Sequence, residues 1–270
     1  MNTHLTQDQI DRYQRDGCLV FEEFLSEDEL HEMKAAVSEG VETMGKQKVA
    51  GDGNVEMVEE DSYYDRVFLQ RLNLWKINDT IKKYFLDAEL GKMLCKLAGI
   101  DGIRIWHDQT LQKQPWANPT AWHLDNPYWS FHSRNAMSIW IALDDATLQN
   151  GCLYYIPGSH KIARYDNVDI GENISDLFKS YPEFRTIEPL VAEMKAGMAG
   201  VHNGLTAHGA GPNMTPYPRR AMTCAYMPEG AIFNGQQNIL SDEQVAKLSV
   251  GDLLDEEHQN PLAWSGKMAV

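Results

Sequence analysis

The stretch Met137-Ser138-Ile139-Trp140-Ile141-Ala142-Leu143-Asp144-Asp145-Ala146-Thr147-Leu148-Gln149-Asn150-Gly151-Cys152-Leu153-Tyr154-Tyr155-Ile156 holds two β-type runs, at 137–143 and 153–156. Asp144, Asp145, Asn150 and Gly151 separate them. Branched and aromatic side chains suit a pleated surface, whereas Asp, Asn and Gly suit the turns between strands. Outward from this stretch, Ile103 and Ile105, 110–112, 190–191 and 221–227 repeat the pattern between Pro, Gly, Asn and Asp residues. Many short strands with few helices among them predict an antiparallel barrel or jelly roll, not a βαβ sheet.

The first hundred residues read differently. Thr6-x-x-Gln9 and Ser26-x-x-Glu29 have the form of capping boxes, so helices are expected from there to Asp16 and Gly40, with a short strand at Cys18–Phe21 between them. A polar loop is expected at 51–54, a long helical stretch over 62–86, and a helix from Asp87 to Leu97 ended by Gly99. Ser241-x-x-Gln244 starts a last short helix. No repeat or Pro/Gly/Ser linker divides the chain. The expectation is one α+β domain over 1–270, with a helical part at 1–100, a β core at 101–230 and a tail at 231–270.

Composition narrows the function. Of 270 residues, 43% are apolar and 23% charged, an ordinary globular mix that argues against disorder or a fibre. The 24 Lys and Arg against 39 Asp and Glu leave a net charge of −15, which repels phosphate backbones and anionic lipid. Neither nucleic acid nor a membrane is an expected partner. Cys18, Cys95, Cys152 and Cys224 are scattered, with no CxxC, and the start carries no basic-then-apolar leader. A cytoplasmic protein, monomeric by default, is expected.

Within Trp122-His123-Leu124-Asp125-Asn126-Pro127-Tyr128-Trp129, an extended strand would turn His123 and Asp125 to one face. An imidazole beside a carboxylate suits a divalent first-row metal. A second imidazole would complete the 2-His-1-carboxylate face of non-haem Fe(II) oxygenases. Candidates downstream are His132, His160, His202, His208 and His258. His208 is favoured because Gly209 and Gly211 let the backbone pass closely and Arg219 follows on the next expected strand. An arginine there can grip a ligand carboxylate through paired hydrogen bonds. His202 is the rival; on one strand the two would stand roughly 20 Å apart, so both could not serve one metal.

The chain resembles the phytanoyl-CoA dioxygenase family of iron(II)- and 2-oxoglutarate-dependent oxygenases. The likeness rests on Leu5-Thr6-x-x-Gln9-x-x-x-Tyr13-x-x-Asp16-Gly17, the His-x-Asp block with Tyr128-Trp129, and Trp140-Ile141-Ala142-Leu143-Asp144-Asp145. It continues through Asn150-Gly151-Cys152-Leu153, Pro157-Gly158-Ser159-His160-Lys161 and His208-Gly209-x-Gly211-x-Asn213 with Arg219. The resemblance implies a double-stranded β-helix (a cupin-like jelly roll) with helices packed outside. It further implies His123, Asp125 and His208 as iron ligands, and Arg219 on the distal carboxylate of 2-oxoglutarate. Trp140 falls where the family places a tryptophan beside the cosubstrate, and Gln109 where some members place a methionine. Gly197-Met198 and Gly200 depart from the family pattern around the third ligand's strand.

The implied reaction hydroxylates an unactivated C–H bond with Fe(II), 2-oxoglutarate and O2, releasing succinate and CO2. Desaturation or cyclisation with the same ligands, a metal cupin enzyme without 2-oxoglutarate, and a non-catalytic binding relative are the alternatives. Asn126, Trp129, His132 and Arg134 are candidate substrate contacts; Tyr128 and Phe131 are expected in the core or rim. Asp144 and Asp145 read as a structural turn, and Met194, Met198, Met214, Met222 and Met227 as core filling.

Overall fold

The structure, a computed structural model, describes residues 1–45, 47–49, 55–57, 66–166 and 168–266, with 47–49 and 55–57 in backbone only. Thr6 and Ser26 open α1 (Gln7–Asp16) and α2 (Glu27–Met44). Each accepts from the backbone N–H three residues on, while Gln9 or Glu29 reaches back to the cap. These reciprocal bonds satisfy N–H groups that a helix start otherwise leaves unpaired. β1 (Cys18–Phe21) lies between the helices, as expected. α2 runs past Gly40 because its buried stripe of Met33, Ala36, Val37 and Gly40 continues to Met44.

β2 (Gln47–Val49) and β3 (Val55–Met57) pair antiparallel; the loop expected at 51–54 lies outside the described residues. The helix expected over 62–86 is a correction. Residues 62–65 are outside the described part, and beyond them come β4 (Leu69–Leu72), a 3-10 turn at Leu74–Lys76 and then α3 (Asp79–Phe85). β4 pairs with β5 (Gly102–Lys113) from Leu69↔Gln112 to Leu72↔Gln109. Pairing with that long strand outweighs the local helical tendency. The buried Asp108 carboxylate then stops β4 by accepting from the N–H groups of Leu74 and Trp75. α4 (Ala88–Ala98), capped by Asp87, ends at Gly99.

The β runs expected at Ile103, Ile105 and 110–112 merge into the single 12-residue β5. β6 (Thr120–His123), β7 (Met137–Ala142), β8 (Leu153–Tyr155), β9 (Leu190–Ala192), β10 (Ala199–Asn203), β11 (His208–Ala210), β12 (Arg219–Pro228) and β13 (Leu262–Ser265) follow. One sheet has the order β1-β10-β7-β12-β5-β13, with β4 also on β5; a second has the order β6-β11-β8-β9, and every pairing is antiparallel. The fold is thus mixed helix and antiparallel sheet.

Strand alternation sorts the interior into two layers. Ile139 and Ile141 of β7 and Met222, Cys224 and Tyr226 of β12 join Met33, Leu74, Phe85 and Leu94 in a core between the large sheet and the helices. Trp140 and Ala142 face the other way and pack with Ala221, Leu153, Tyr155 and Ala210 between the sheets. Ser241 caps the expected short helix at Asp242–Lys247. No helix among the described residues is long and apolar enough to cross a membrane.

Candidate active site

β6 ends at His123, and Asp125 opens a 3-10 turn at Asn126–Tyr128 rather than continuing an extended strand; Pro127 sits in that turn. The two side chains meet nonetheless. His208 opens β11 directly opposite His123. The Nε2 atoms of His123 and His208 each lie 3.6 Å from Asp125 Oδ1, close to the roughly 3 Å between neighbouring ligands of an octahedral ion. One ligand atom from each of the three lies within 4.8 Å of the others.

The surrounding bonds fix what those atoms can do. His123 Nδ1 lies 2.8 Å from the Ala121 carbonyl and His208 Nδ1 lies 2.9 Å from that of Thr206. A carbonyl only accepts, so both Nδ1 atoms carry the proton and both Nε2 lone pairs face the carboxylate. Burial holds both imidazoles below their usual pKa, His208 well below, which keeps those lone pairs free. Burial alone would raise the Asp125 carboxyl, but His208, His202 and His123 hold it far below the usual carboxylate range. Three acceptors turned on one point repel one another unless a cation lies between them. The donor set therefore fits a divalent first-row metal.

His202 is a partial correction. It lies on β10 of the large sheet, not on one strand with His208, and the turn at 204–207 brings the two rings to 4.3 Å instead of roughly 20 Å. It is not one of the converging three. Its Nε2 donates to Asp125 Oδ2 at 3.2 Å, and its Nδ1 lies 3.4 Å from the Tyr155 hydroxyl. Ser138 donates to the same Oδ2 at 2.9 Å. Oδ2 is thus held in place while Oδ1 stays available. Gly200, an oddity in the sequence, has a local reason: a Cβ there would stand 2.9 Å from the Tyr155 hydroxyl.

These groups open on a cavity of about 360 Å³ between the sheets, lined also by Gln109, Trp140, Thr120, Thr223 and Arg219. Arg219 is 1% exposed. Its Cζ lies 5.1 Å from the Trp140 ring centroid, its Nη1 reaches only the Leu111 carbonyl at 3.4 Å, and its Nε has no partner. It makes no ion pair among the described residues, and burial brings its pKa down to about 10. An uncompensated buried charge costs several kcal/mol, so the residues fit an anionic ligand that supplies the missing partner. Opposite it on β5, fully buried Lys113 donates to the Asn118 carbonyl at 2.6 Å, its pKa pushed down to about 6 by burial and by Arg219.

Of the candidate substrate contacts, Trp129 lines the cavity. Asn126 is fully buried and structural, donating to the Phe131 carbonyl and accepting from the Ser133 N–H. His132 stacks on Tyr165 at 4.3 Å, and Arg134 donates to the His160 carbonyl, both away from the cavity. Asp144 pairs with Arg220 and Asp145 with Lys195, the structural role expected. Sequence reasoning missed Ser138, Tyr155, Thr120 and His107. Strand parity with Trp140 and Gln109 marks Ser138 and His107 as facing the cavity, but nothing local marks the other two.

The phytanoyl-CoA dioxygenase (PhyH) profile matches residues 13–221. A phytanoyl-CoA dioxygenase of Arabidopsis thaliana is 26% identical over 245 residues, covering 80% of this chain and 87% of its own. A probable alpha-ketoglutarate-dependent hypophosphite dioxygenase of Stutzerimonas stutzeri is 27% identical over 216 residues, covering 78% and 74%. Among solved structures, the non-heme alpha ketoglutarate dependent carbocyclase SnoK from nogalamycin biosynthesis superposes with a TM-score of 0.77 at 26% identity, covering 96% of each chain. With the profile spanning most of its length, this chain belongs to the phytanoyl-CoA dioxygenase family.

Proposed function

We propose that this chain is an iron(II)- and 2-oxoglutarate-dependent dioxygenase that hydroxylates an unactivated C–H bond of a small molecule. One polypeptide forms a single oxygenase unit, and its two sheets are the halves of a cupin-like double-stranded β-helix. The observation that carries the reading is the convergence of two fixed-tautomer imidazoles and one carboxylate oxygen beside a buried guanidinium that lacks an anion.

In this reading His123 Nε2, Asp125 Oδ1 and His208 Nε2 hold the iron. Iron, 2-oxoglutarate and O2 together supply the oxidation, with the oxo acid decarboxylated to succinate. The rest is the protein's own work. Arg219 anchors the distal carboxylate, and Trp140 and Phe68 cover its guanidinium and exclude water. Gln109, which accepts from Gln70, adds a neutral amide on the cosubstrate side. His107, Tyr128, Trp129, Ile170 and Ile239 line the remainder, where the substrate would sit.

Arg219 is the sole Lys or Arg among the described lining residues. The phosphates of an acyl-CoA would find no cation there, so a small substrate is the better fit. The four buried, unpaired thiols support a reducing, cytoplasmic setting. The likeness to a carbocyclase favours ring closure as the second reading, since the same ligands serve both outcomes.

Anaerobic titration with Fe(II) and then 2-oxoglutarate tests the assignment, followed by a metabolite screen for stimulated succinate release. One iron per chain and metal-dependent binding of the oxo acid are expected. Binding of 2-oxoglutarate that ignores the metal would overturn it.

A further inference from the structure

Three imidazoles crowd one carboxylate, yet only two of them turn a lone pair toward it. His123 and His208 carry their protons on Nδ1, each against a backbone carbonyl. His202 is the reverse: its Nε2 donates to Asp125 Oδ2 at 3.2 Å, which leaves Nδ1 bare. A neutral imidazole can hold either tautomer, and what its far nitrogen meets decides between them. The His202 Nδ1 meets no carbonyl. It meets the Tyr155 hydroxyl at 3.4 Å.

Tyr155 comes from the other sheet. It stands opposite His208 on β8, and its ring reaches between the sheets to β10. Gly200, two residues before His202 and so on the same face of β10, leaves room for the hydroxyl; a Cβ there would stand 2.9 Å from it and 3.1 Å from Met194 Cε. A phenol can donate or accept, so the contact alone does not set the tautomer. Burial does. Tyr155 is 0% exposed, and among the described residues its hydroxyl bonds to nothing but His202. With the imidazole proton on Nδ1, the buried O–H would have no acceptor, and leaving it unmade costs more than one such bond returns. The phenol therefore donates, and the proton of His202 stays on Nε2.

The consequence lies at the metal end. A bare His202 Nε2, beside Asp125 and with its ring 4.3 Å from that of His208, would be a fourth donor next to the converging three. An octahedral ion held by three protein ligands keeps three positions open, and a fourth ligand would close one. We infer that Tyr155 is a positioning residue that fixes His202 as a hydrogen-bond donor and so keeps it off the metal, with Gly200 as the space that admits its hydroxyl. The inference rests on the reading of His123, Asp125 and His208 as the metal ligands.

The test is proton NMR of the enzyme loaded with cobalt(II), a paramagnetic stand-in for iron(II), in which the N–H of a metal-bound imidazole is shifted far downfield and exchanges with solvent. The wild type should show two such signals, from His123 and His208. Tyr155→Phe should add a third, which His202→Gln in the same background removes, and should weaken anaerobic 2-oxoglutarate binding about tenfold. Gly200→Ala should act alike by driving the hydroxyl away, and combined with Tyr155→Phe it should add no further loss. Three signals in the wild type, or two in both single variants with only a lower Tm, overturn the role of Tyr155 alone. Failure of the wild type to bind cobalt(II) or iron(II) overturns the ligand reading, and the role of Tyr155 with it.

Discussion

The two ends of the cavity are built on opposite principles. At one end the Asp125 carboxylate is crowded with partners: Ser138 and His202 on one oxygen, His123 and His208 turned toward the other. At the other end Arg219 is more deeply buried than Asp125 and nearly bare, with one long bond to a carbonyl and the Trp140 and Phe68 rings beside it. A crowded acid holds its geometry before any ligand arrives, so a metal meets a rigid set of donors. A starved cation carries a desolvation penalty that only an incoming anion relieves. The metal end is preorganised, whereas the anion end is poised.

The largest expected effect breaks the crowded end outright. Asp125→Ala should abolish both iron binding and substrate-dependent succinate production; unchanged turnover would refute the metal assignment. Next comes the bare end. Arg219→Met should raise the Kd for 2-oxoglutarate about a hundredfold while leaving the iron requirement alone. Should both requirements move together, the two ends are not separate devices. A smaller effect falls on the supports: Ser138→Ala or His202→Ala should weaken iron binding by roughly 10- to 100-fold. At saturating iron, 2-oxoglutarate affinity should be unaffected.

The smallest effect concerns acid. His107 sits on β5 beside the metal end, and burial pushes its pKa down to about 4 from 6.5. The unfolded chain therefore takes up that proton first. Stability is fully present above pH 6.5 and is lost as pH falls toward 4. Neighbouring Asp108, pushed up to about 7 by burial, acts with the opposite sign, gaining stability as pH falls from 7. The two are separated by the difference between His107→Phe and wild type. Between pH 7.5 and 5, urea unfolding should show that difference shifting in favour of the variant by at most roughly 2 kcal/mol. A constant difference would mean that His107 is not held neutral.

What the sequence discloses follows the same division. The capping boxes at Thr6, Ser26 and Ser241 are local chemistry, and the helices begin where that chemistry puts them. The iron-ligand candidates His123, Asp125 and His208 are legible because their residue types and order suit one chemistry. β4 is not legible, because it is a strand only through its pairing with β5. His202 misleads because strand arithmetic assumes one continuous strand, whereas the turn at 204–207 carries the chain from one sheet to the other. Thr120 is hidden for a related reason: a single extra residue in the ladder reverses its facing, and no sequence period records a bulge.

The central claim is that three side chains from separate parts of the chain share one iron while Arg219 holds the far end of the cosubstrate. Crystals grown without oxygen in Fe(II) and 2-oxoglutarate, with diffraction collected at the iron absorption edge, test it most directly. The account predicts one anomalous peak roughly 2.0–2.2 Å from His123 Nε2, Asp125 Oδ1 and His208 Nε2, with the distal carboxylate paired to Arg219. A peak bonded to His202, or a cosubstrate turned away from Arg219, would contradict it.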